Sequence, residues 1–424
     1  MKVGRAFVSF FSAATFLVVR ITSGWVLPCD WQQTQARQRH SRSWSIYSSP
    51  ETKTQSTNQE ELRQPLLTTA LLNISYDGAH FTGWSQANKE ERGGKKESEE
   101  SIDNGSGLPY RPSRRRRRRR QQRKGHVRSI EGVFRTQLAK LYGNVDPSRV
   151  VVEGCSRTDK GVHAQSMVAQ IYCLSENVTD FVESIPGKRM PHPVDSWDDS
   201  CFEPIAMNTQ KLMYVLNRML PPDAKVRGVA PVPSIKGDIP FHPTLNAISK
   251  TYQYTFSIGA IHDPTLWRHT WHLEHATTFD LEKTKCVCQE LLMGTHDFAA
   301  LRGAPRGSDD RRRQEMESTI CILSEVELHE VIDESTFPGS PLSTYTLTVT
   351  GDRFLYKMMR FLVGALVAVG TDKLTMEDVQ HALESKSWQG KQFTCAPPHG
   401  LILKHVQYNA SIEWITCGNR MSSF

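Results

Sequence analysis

The 424-residue chain has no CxxC pair, and its nine cysteines are scattered and odd in number, so neither a disulfide framework nor a zinc ribbon is indicated. Cys286 and Cys288 are separated by one residue and would point to different faces of a helix, so all nine read as reduced thiols. Long apolar runs are also lacking. Phe7 to Val19, behind Lys2 and Arg5, has the length of a signal-peptide core and is short for a membrane span. Acid is nearly missing from Arg20 to Ser49, where Asp30 stands alone among Arg, Ser and Gln. Aromatic content is 9% and hydrophobic content 38%, enough for packed cores. A mean hydropathy of −0.46 with 23% charged residues leaves much of the chain solvated.

Residues 1–60 read as a disordered targeting leader. A signal-like core followed by an acid-poor basic stretch is similar to a bipartite plastid-targeting leader, with a mitochondrial presequence as competitor and a tail with an accidental apolar patch as the plain alternative. The free cysteines disfavour a secretory destination. The chain beyond residue 60 has room for two domains. Net charge is +7, and the positive charge is clustered, which fits an anionic polymer as partner. The main cluster lies in 89–128, where an acidic and Gly/Ser tract leads to seven consecutive arginines, Arg114 to Arg120. Nothing there can build a core, so it is expected to be a disordered insertion. It suits salt-sensitive attachment to RNA phosphates, a nuclear localisation signal, or a passive loop.

Around it the hydrophobic period marks the elements. Thr68 to Tyr76 (TTALLNISY) alternates as a strand, and Ile130 to Tyr142 carries a helical stripe. Val150 to Val152 and Ser166 to Cys173 read as strands, Thr209 to Met219 as a helix ended by Pro221-Pro222, and Lys225 to Val232 as a strand. Phe279 to Leu292 reads as a helix, Gly294 to Phe298 as a turn, and Thr344 to Thr350 and Leu401 to Val406 as strands. After Thr350, apolar residues at 355, 358, 359, 362, 363 and 366 make a buried helical face that includes Arg360, which is costly to bury without an anion.

Between two of these strands lies Gly154-Cys-Ser-Arg-Thr-Asp-Lys-Gly-Val-His-Ala-Gln165, where Asp159 is flanked by Arg157 and Lys160. A carboxylate held by cations on an anchored loop suits a nucleophile or base, and a surface ion-pair loop has the same composition. His262, His269, His272 and His275 do not have the spacing of a standard metal-ligand set.

The loop GCSRTDKGVHAQ resembles the signature of the TruA-type tRNA pseudouridine synthases, G-R-T-D-x-G-V-H-A. Four further runs resemble that family's motifs: Tyr76 to Gln86 (YDGAHFTGWSQ), Lys250 to Tyr254 (KTYQY), Phe354 to Gly364 (FLYKMMRFLVG) and Ala396 to Leu401 (APPHGL). Together they cover roughly residues 68–406. One departure is Ser318, at a place where the family usually carries Arg.

The resemblance implies an α+β fold of two similar halves, 66–240 and 241–410, with 411–424 as a tail. Each half would hold a mixed, largely antiparallel sheet with helices on one side, and the halves would face each other across a basic cleft. It implies isomerisation of uridine to pseudouridine in the anticodon arm of tRNA, at nucleotides 38–40, without metal, nucleotide or redox cofactor. Asp159 would be the catalytic carboxylate, paired with Arg360. Tyr252 would stack on the base and Arg157 would hold the flipped-out nucleotide, while Lys357 touches phosphate or packs nearby. Many members act as homodimers, and no stable membrane association is implied once the leader is removed. Two other readings stay open: a catalytically silent RNA-binding factor on the same scaffold, and a nuclear enzyme in place of an organellar one.

Overall fold

The structure is a computed structural model, and it describes residues 67–85, 128–176, 178, 199–234, 240–276, 278–304, 317–331 and 343–416. The leader 1–60, most of the insertion 89–128 and the basic loop Arg306 to Arg313 lie outside the described residues. Eleven strands form one sheet: β1 (Thr69–Tyr76), β2 (Val150–Gly154), β3 (His163–Cys173), β4 (Ala224–Ala230), β5 (Ala247–Ile258), β6 (Trp271–Leu273), β7 (Gly294–Asp297), β8 (Ile320–Val331), β9 (Ser343–Gly351), β10 (Leu401–Tyr408) and β11 (Ile415–Thr416). Among the described residues five α-helices accompany them: α1 (Ile130–Leu141), α2 (Thr209–Met219), α3 (Leu281–Val287), α4 (Met358–Gly370) and α5 (Met376–Ser385).

The strand order is β11-β4-β1-β3-β10-β5-β9-β8-β7, with β2 on β3 and β6 on β5. Neighbours pair antiparallel except β3 with β10 and β5 with β6. The expectation of one sheet in each half is therefore replaced by a single sheet. The parallel contact of β3 with β10, at Ile402↔His163 and Leu403↔Ala164, joins the strands of 66–240 to those of 241–410. The physical reason is that two separate sheets would leave an edge of β10, and the His163–Ala164 end of β3 beyond the stretch that β2 covers, without backbone partners.

Register carries one apolar face across the whole sheet. Ile74 is opposite Met167, Ala164 is level with Leu403, and Leu403 is opposite Tyr252, which is opposite Val349. All of these residues belong to one hydrophobic core that also takes in Phe134 of α1, Leu216 of α2, Val287 of α3 and Leu362 of α4. The α4 stripe is buried as its sequence predicts, at Leu355, Met358, Met359, Leu362, Val363 and Leu366.

Two elements differ from expectation. Cys288–Leu292 continues α3 as a π turn, widening the helix by one residue before Met293. The segment expected as tail from 411 is ordered in the sheet as far as Thr416. Ile415 and Thr416 pair with Val229 and Gly228 of β4, while Ile412 and Trp414 pack beside Leu71, Ala230 and Phe241. Its apolar side chains cover the face of β1 and β4 that the helices leave open.

Candidate active site

The loop between β2 and β3 is clamped through its backbone. The Trp84 amide donates to the Thr158 carbonyl (3.1 Å), and the Val162 amide donates to the Asp159 carbonyl (3.1 Å). The Thr158 hydroxyl and the Tyr76 phenol are 2.7 Å apart, tying the loop to the end of β1. Gly83, at φ +111°, lies so close that a Cβ there would sit 2.6 Å from the Thr158 carbonyl oxygen. Only glycine permits that approach. Asp159 thus sits on a backbone fixed from both sides, which is what a pre-organised carboxylate needs.

The partner of Asp159 comes from α4. Arg360 Nη1 donates to Asp159 Oδ2 at 3.2 Å, and the two side chains keep only 15% and 17% of their exposure. Arg360 Nε donates to the Ala396 carbonyl at 2.7 Å, and the Ala396 amide returns a bond to the Arg360 carbonyl at 3.0 Å. A guanidinium can serve a carboxylate and a carbonyl in different directions at once, whereas an ammonium is a point charge. The extended segment that supplies Ala396 is pressed against the helix at Gly364, where a Cβ would meet the Thr394 carbonyl oxygen at 2.1 Å.

Tyr252, on β5, is 6% exposed and lies edge-on to Phe354, with centroids 4.8 Å apart. Its hydroxyl is 2.9 Å from Ser156 Oγ in the Asp159 loop. Burial pushes its phenol well above the ordinary range; the Ser156 hydrogen bond opposes this, and the nearby Asp159 charge adds to the rise. The ring is therefore a neutral wall of the site. Tyr254 shares its strand face but is core, with its hydroxyl on the Pro397 carbonyl at 2.7 Å.

The structure therefore brings Asp159, Arg360 and Tyr252 together and sets the other two sequence candidates at the margin. Arg157 is exposed, and its charge reaches Glu131 at the start of α1. Burial raises that carboxyl's pKa, while Arg135 and Arg157 draw it down. Lys357 adopts a left-handed conformation (φ 58°) just before α4, with its ammonium 5.4 Å from the Tyr356 ring centroid. It lies on the Arg360 side. The Cys395 thiol, raised by burial, is drawn down by Arg360 and then by Lys357. At Ser318, the place where an arginine is usual, Arg353 reaches the Ser318 carbonyl from the loop before α4.

Ser156, Thr158, Phe354 and Ala396 belong to the site without having been singled out by sequence. The first two lie inside the signature loop and the last opens the APPHGL run, so their positions were marked. A backbone carbonyl such as that of Ala396 leaves no trace in residue type.

Beyond Asp159, His163 is 2% exposed, and its ring lies 4.5 Å from that of His269. The Gly78 amide donates to His163 Nδ1 (3.1 Å), which keeps a lone pair on that nitrogen although Asp77 Oδ1 is 3.0 Å away. Burial, then His269, lower its pKa against the opposite pull of Asp77. His262 and His272 stack with centroids 4.7 Å apart, and His399 Nε2 is 3.2 Å from the Thr270 carbonyl. Among the described residues no group of three or more His, Cys, Asp or Glu side chains is arranged to hold a metal.

A family model described as tRNA pseudouridine synthase matches residues 288–409. The chain is 30% identical over 351 residues to tRNA pseudouridine synthase A of Chlamydia muridarum, covering 81% of this chain and 93% of the relative. It is 29% identical over 294 residues to the Chlamydia felis protein of that name (69% and 87%) and 28% identical over 281 residues to the one from a Geobacter species (66% and 90%). The sheet and the site thus belong to a pseudouridine synthase, an isomerase acting on tRNA. Within that class the chain belongs to the tRNA pseudouridine synthase A family.

Proposed function

We propose that Asp159 is the catalytic carboxylate and that the enzyme isomerises uridines in the anticodon arm of tRNA, at nucleotides 38–40. The observation that carries this is the Asp159–Arg360 pair, a nearly buried ion pair fixed by a second bond from Arg360 to Ala396 and roofed by Tyr252. A structural ion pair needs neither a clamped loop nor an aromatic wall at its open side. In the reaction the C1′–N1 bond breaks and a C1′–C5 bond forms, N1 gains a proton and C5 loses one, so no atom is gained or lost. The target base must first leave its stack. Asp159 attacks C1′ or C6, or removes a ribose proton; all three require it ionised, and Arg360 favours that form. Tyr252 supplies a face for the uracil, with Arg157 and Lys357 at the margin for the flanking phosphates. The leader 1–60 delivers the enzyme to an organelle, in preference a plastid, which imaging of a leader–reporter fusion checks.

The test is a pseudouridine map by carbodiimide adduct and primer-extension stops on unmodified tRNA transcripts, with the full chain and with Asp159→Asn. Stops in the anticodon arm that vanish with the variant, while tRNA binding persists, support the assignment. Near-normal turnover by Asp159→Asn overturns it, and binding without stops in either protein means a silent RNA-binding factor.

A further inference from the structure

The face of the sheet turned away from the helices carries a feature that the reaction at Asp159 does not use. Strand alternation is broken at three places on neighbouring strands. Between the pairs Ile74↔Met167 and Tyr76↔Ala164, β1 has one residue and β3 has two, Gln165 and Ser166. Between Asn73↔Gly228 and Ile74↔Val226, β4 has the extra residue Arg227. Between Leu403↔Tyr252 and His405↔Thr251, β10 has the extra residue Lys404. Met167, Val226, Leu403 and Val406 stay in the helix-side core. Each bulge therefore turns two consecutive residues, in place of one, to the opposite face: Gln165 and Ser166, Arg227 and Gly228, Lys404 and His405.

Those six residues, with Asn73, Trp414 and Thr416, line one open trough of about 580 Å³. Its lining holds two permanent cations and one imidazole, and it holds no carboxylate. The cations are displayed and not spent on ion pairs within the lining: Arg227 Nη1 donates to the Gln165 carbonyl (3.1 Å). Amide and hydroxyl groups of Asn73, Gln165 and Ser166 lie beside them, and Asn73 Nδ2 donates to Ser166 Oγ at 3.0 Å. Cations interleaved with neutral donors and one aromatic edge suit phosphodiester oxygens. Three bulges on neighbouring strands, each adding a polar side chain to the same face, are more than an open sheet surface requires.

We propose that this trough binds backbone phosphates of the tRNA substrate, as a second contact on the opposite face of the sheet from Asp159. Its place supports that occupant. Gln165 is six residues beyond Asp159, so the trough and the catalytic loop share the same end of β3. The proposal rests on tRNA as substrate and is independent of which group performs the chemistry.

The test uses the full chain and a tRNA transcript in equilibrium binding across a salt series, with turnover measured alongside. Arg227→Gln combined with Lys404→Gln is expected to weaken binding about tenfold or more near 150 mM salt and to lower the slope of log K against log salt by about two, from the loss of two phosphate contacts. kcat at saturating tRNA is expected to stay unchanged. Lys404→Glu, which leaves the Arg227–Gln165 bond intact, is expected to weaken binding more than Lys404→Gln does. Lys211→Gln with Arg218→Gln, on the exposed side of α2, is the control and should change neither quantity. Unchanged affinity and slope in the trough variants overturn the proposal, as does equal loss in the control. A change in self-association with tRNA affinity intact overturns it in favour of a second copy of the chain. If tRNA binds but no pseudouridine forms, the catalytic reading fails while the salt slope still decides the trough.

Discussion

Arg360 and Asp159 are 201 positions apart in sequence and joined by a 3.2 Å hydrogen bond. Arg360 is itself anchored by the Ala396 carbonyl, so the orientation of the carboxylate depends on three segments that meet at one guanidinium. Arg360→Ala removes both bonds and leaves a nearly buried carboxylate unpaired. It is expected to lower kcat by at least about a hundredfold and to destabilise the fold by roughly 3 kcal/mol. Arg360→Lys restores the charge without the two-direction geometry and is expected to recover under a tenth of the activity. Single-turnover pseudouridine formation and urea unfolding measure the two effects.

Ser156→Ala tests the tie between the loop and Tyr252. It leaves a buried phenol without its 2.9 Å partner and is expected to cost about 1–2 kcal/mol with a modest loss in kcat. Tyr252→Leu removes the aromatic face as well and is expected to lower kcat/KM by about a hundredfold, with tRNA affinity falling much less. Equal losses in binding and turnover would make Tyr252 a packing residue.

Gly364→Ala probes the site from a distance. The added methyl would lie 2.1 Å from the Thr394 carbonyl oxygen, so the segment carrying Ala396 must shift away from α4. Overpacking of this kind costs about 1–3 kcal/mol. Activity is expected to fall further than stability alone explains, because the Arg360 anchor moves with that segment. A kcat measured well below the melting temperature separates the two effects.

Stability is expected to fall as pH drops through the ordinary histidine range. The pKa values of His163 and His399 are lowered, chiefly by burial, and His269 adds to the lowering at both. The unfolded chain therefore binds more protons than the folded one once pH falls below about 6.5, the ordinary value for histidine. The stability these groups contribute is complete above that pH and is lost as pH falls toward their folded values. Thermal melts from pH 7.5 to 5 should show this decline, and His163→Gln should make it shallower by one group's share. An unchanged slope would mean that His163 titrates normally.

Much of the fold was legible because local signals agreed with the tertiary outcome. Thr209–Met219 forms at its expected bounds, with Asn208 accepting from the Lys211 amide and the proline pair just beyond Leu220. Val150–Gly154 follows from a β-branched run and Ser343–Gly351 from β-branched alternation. The helix Met376–Ser385 is missing from the sequence expectations even though Thr375 and Asp378 form a capping box, a signal open to reading. Gly294 to Asp297, expected as a turn, is drawn into a strand by pairing with Ile320 to Leu323. The union of the sheet through β3 and β10 and the three bulges were hidden for a different reason. Both depend on which strand lies alongside which, and a one-residue slip leaves no compositional mark. At the site, the motif resemblance marked Asp159, Tyr252 and Arg360, which the structure brings together, but the exposed setting of Arg157 and the backbone grip on Arg360 are properties of the assembled chain.

The placing of β10 between β3 and β5 has a consequence during translation. β3 is complete once residue 173 has emerged, and β2 already covers its Ala169–Cys173 stretch, but the strand that pairs with its His163–Ala164 end begins at residue 401. At roughly 5–20 residues per second, the growing chain spends on the order of 10–45 s with that end of the strand unpaired. Over the same interval Ala396 has not been added, so the guanidinium that orients the carboxylate lacks its anchor. Synthesis must therefore pass Ala396 and β10 before the carboxylate is held in place. A chain stopped between Arg360 and Ala396 would carry every proposed catalytic side chain and no central strand to hold them in register.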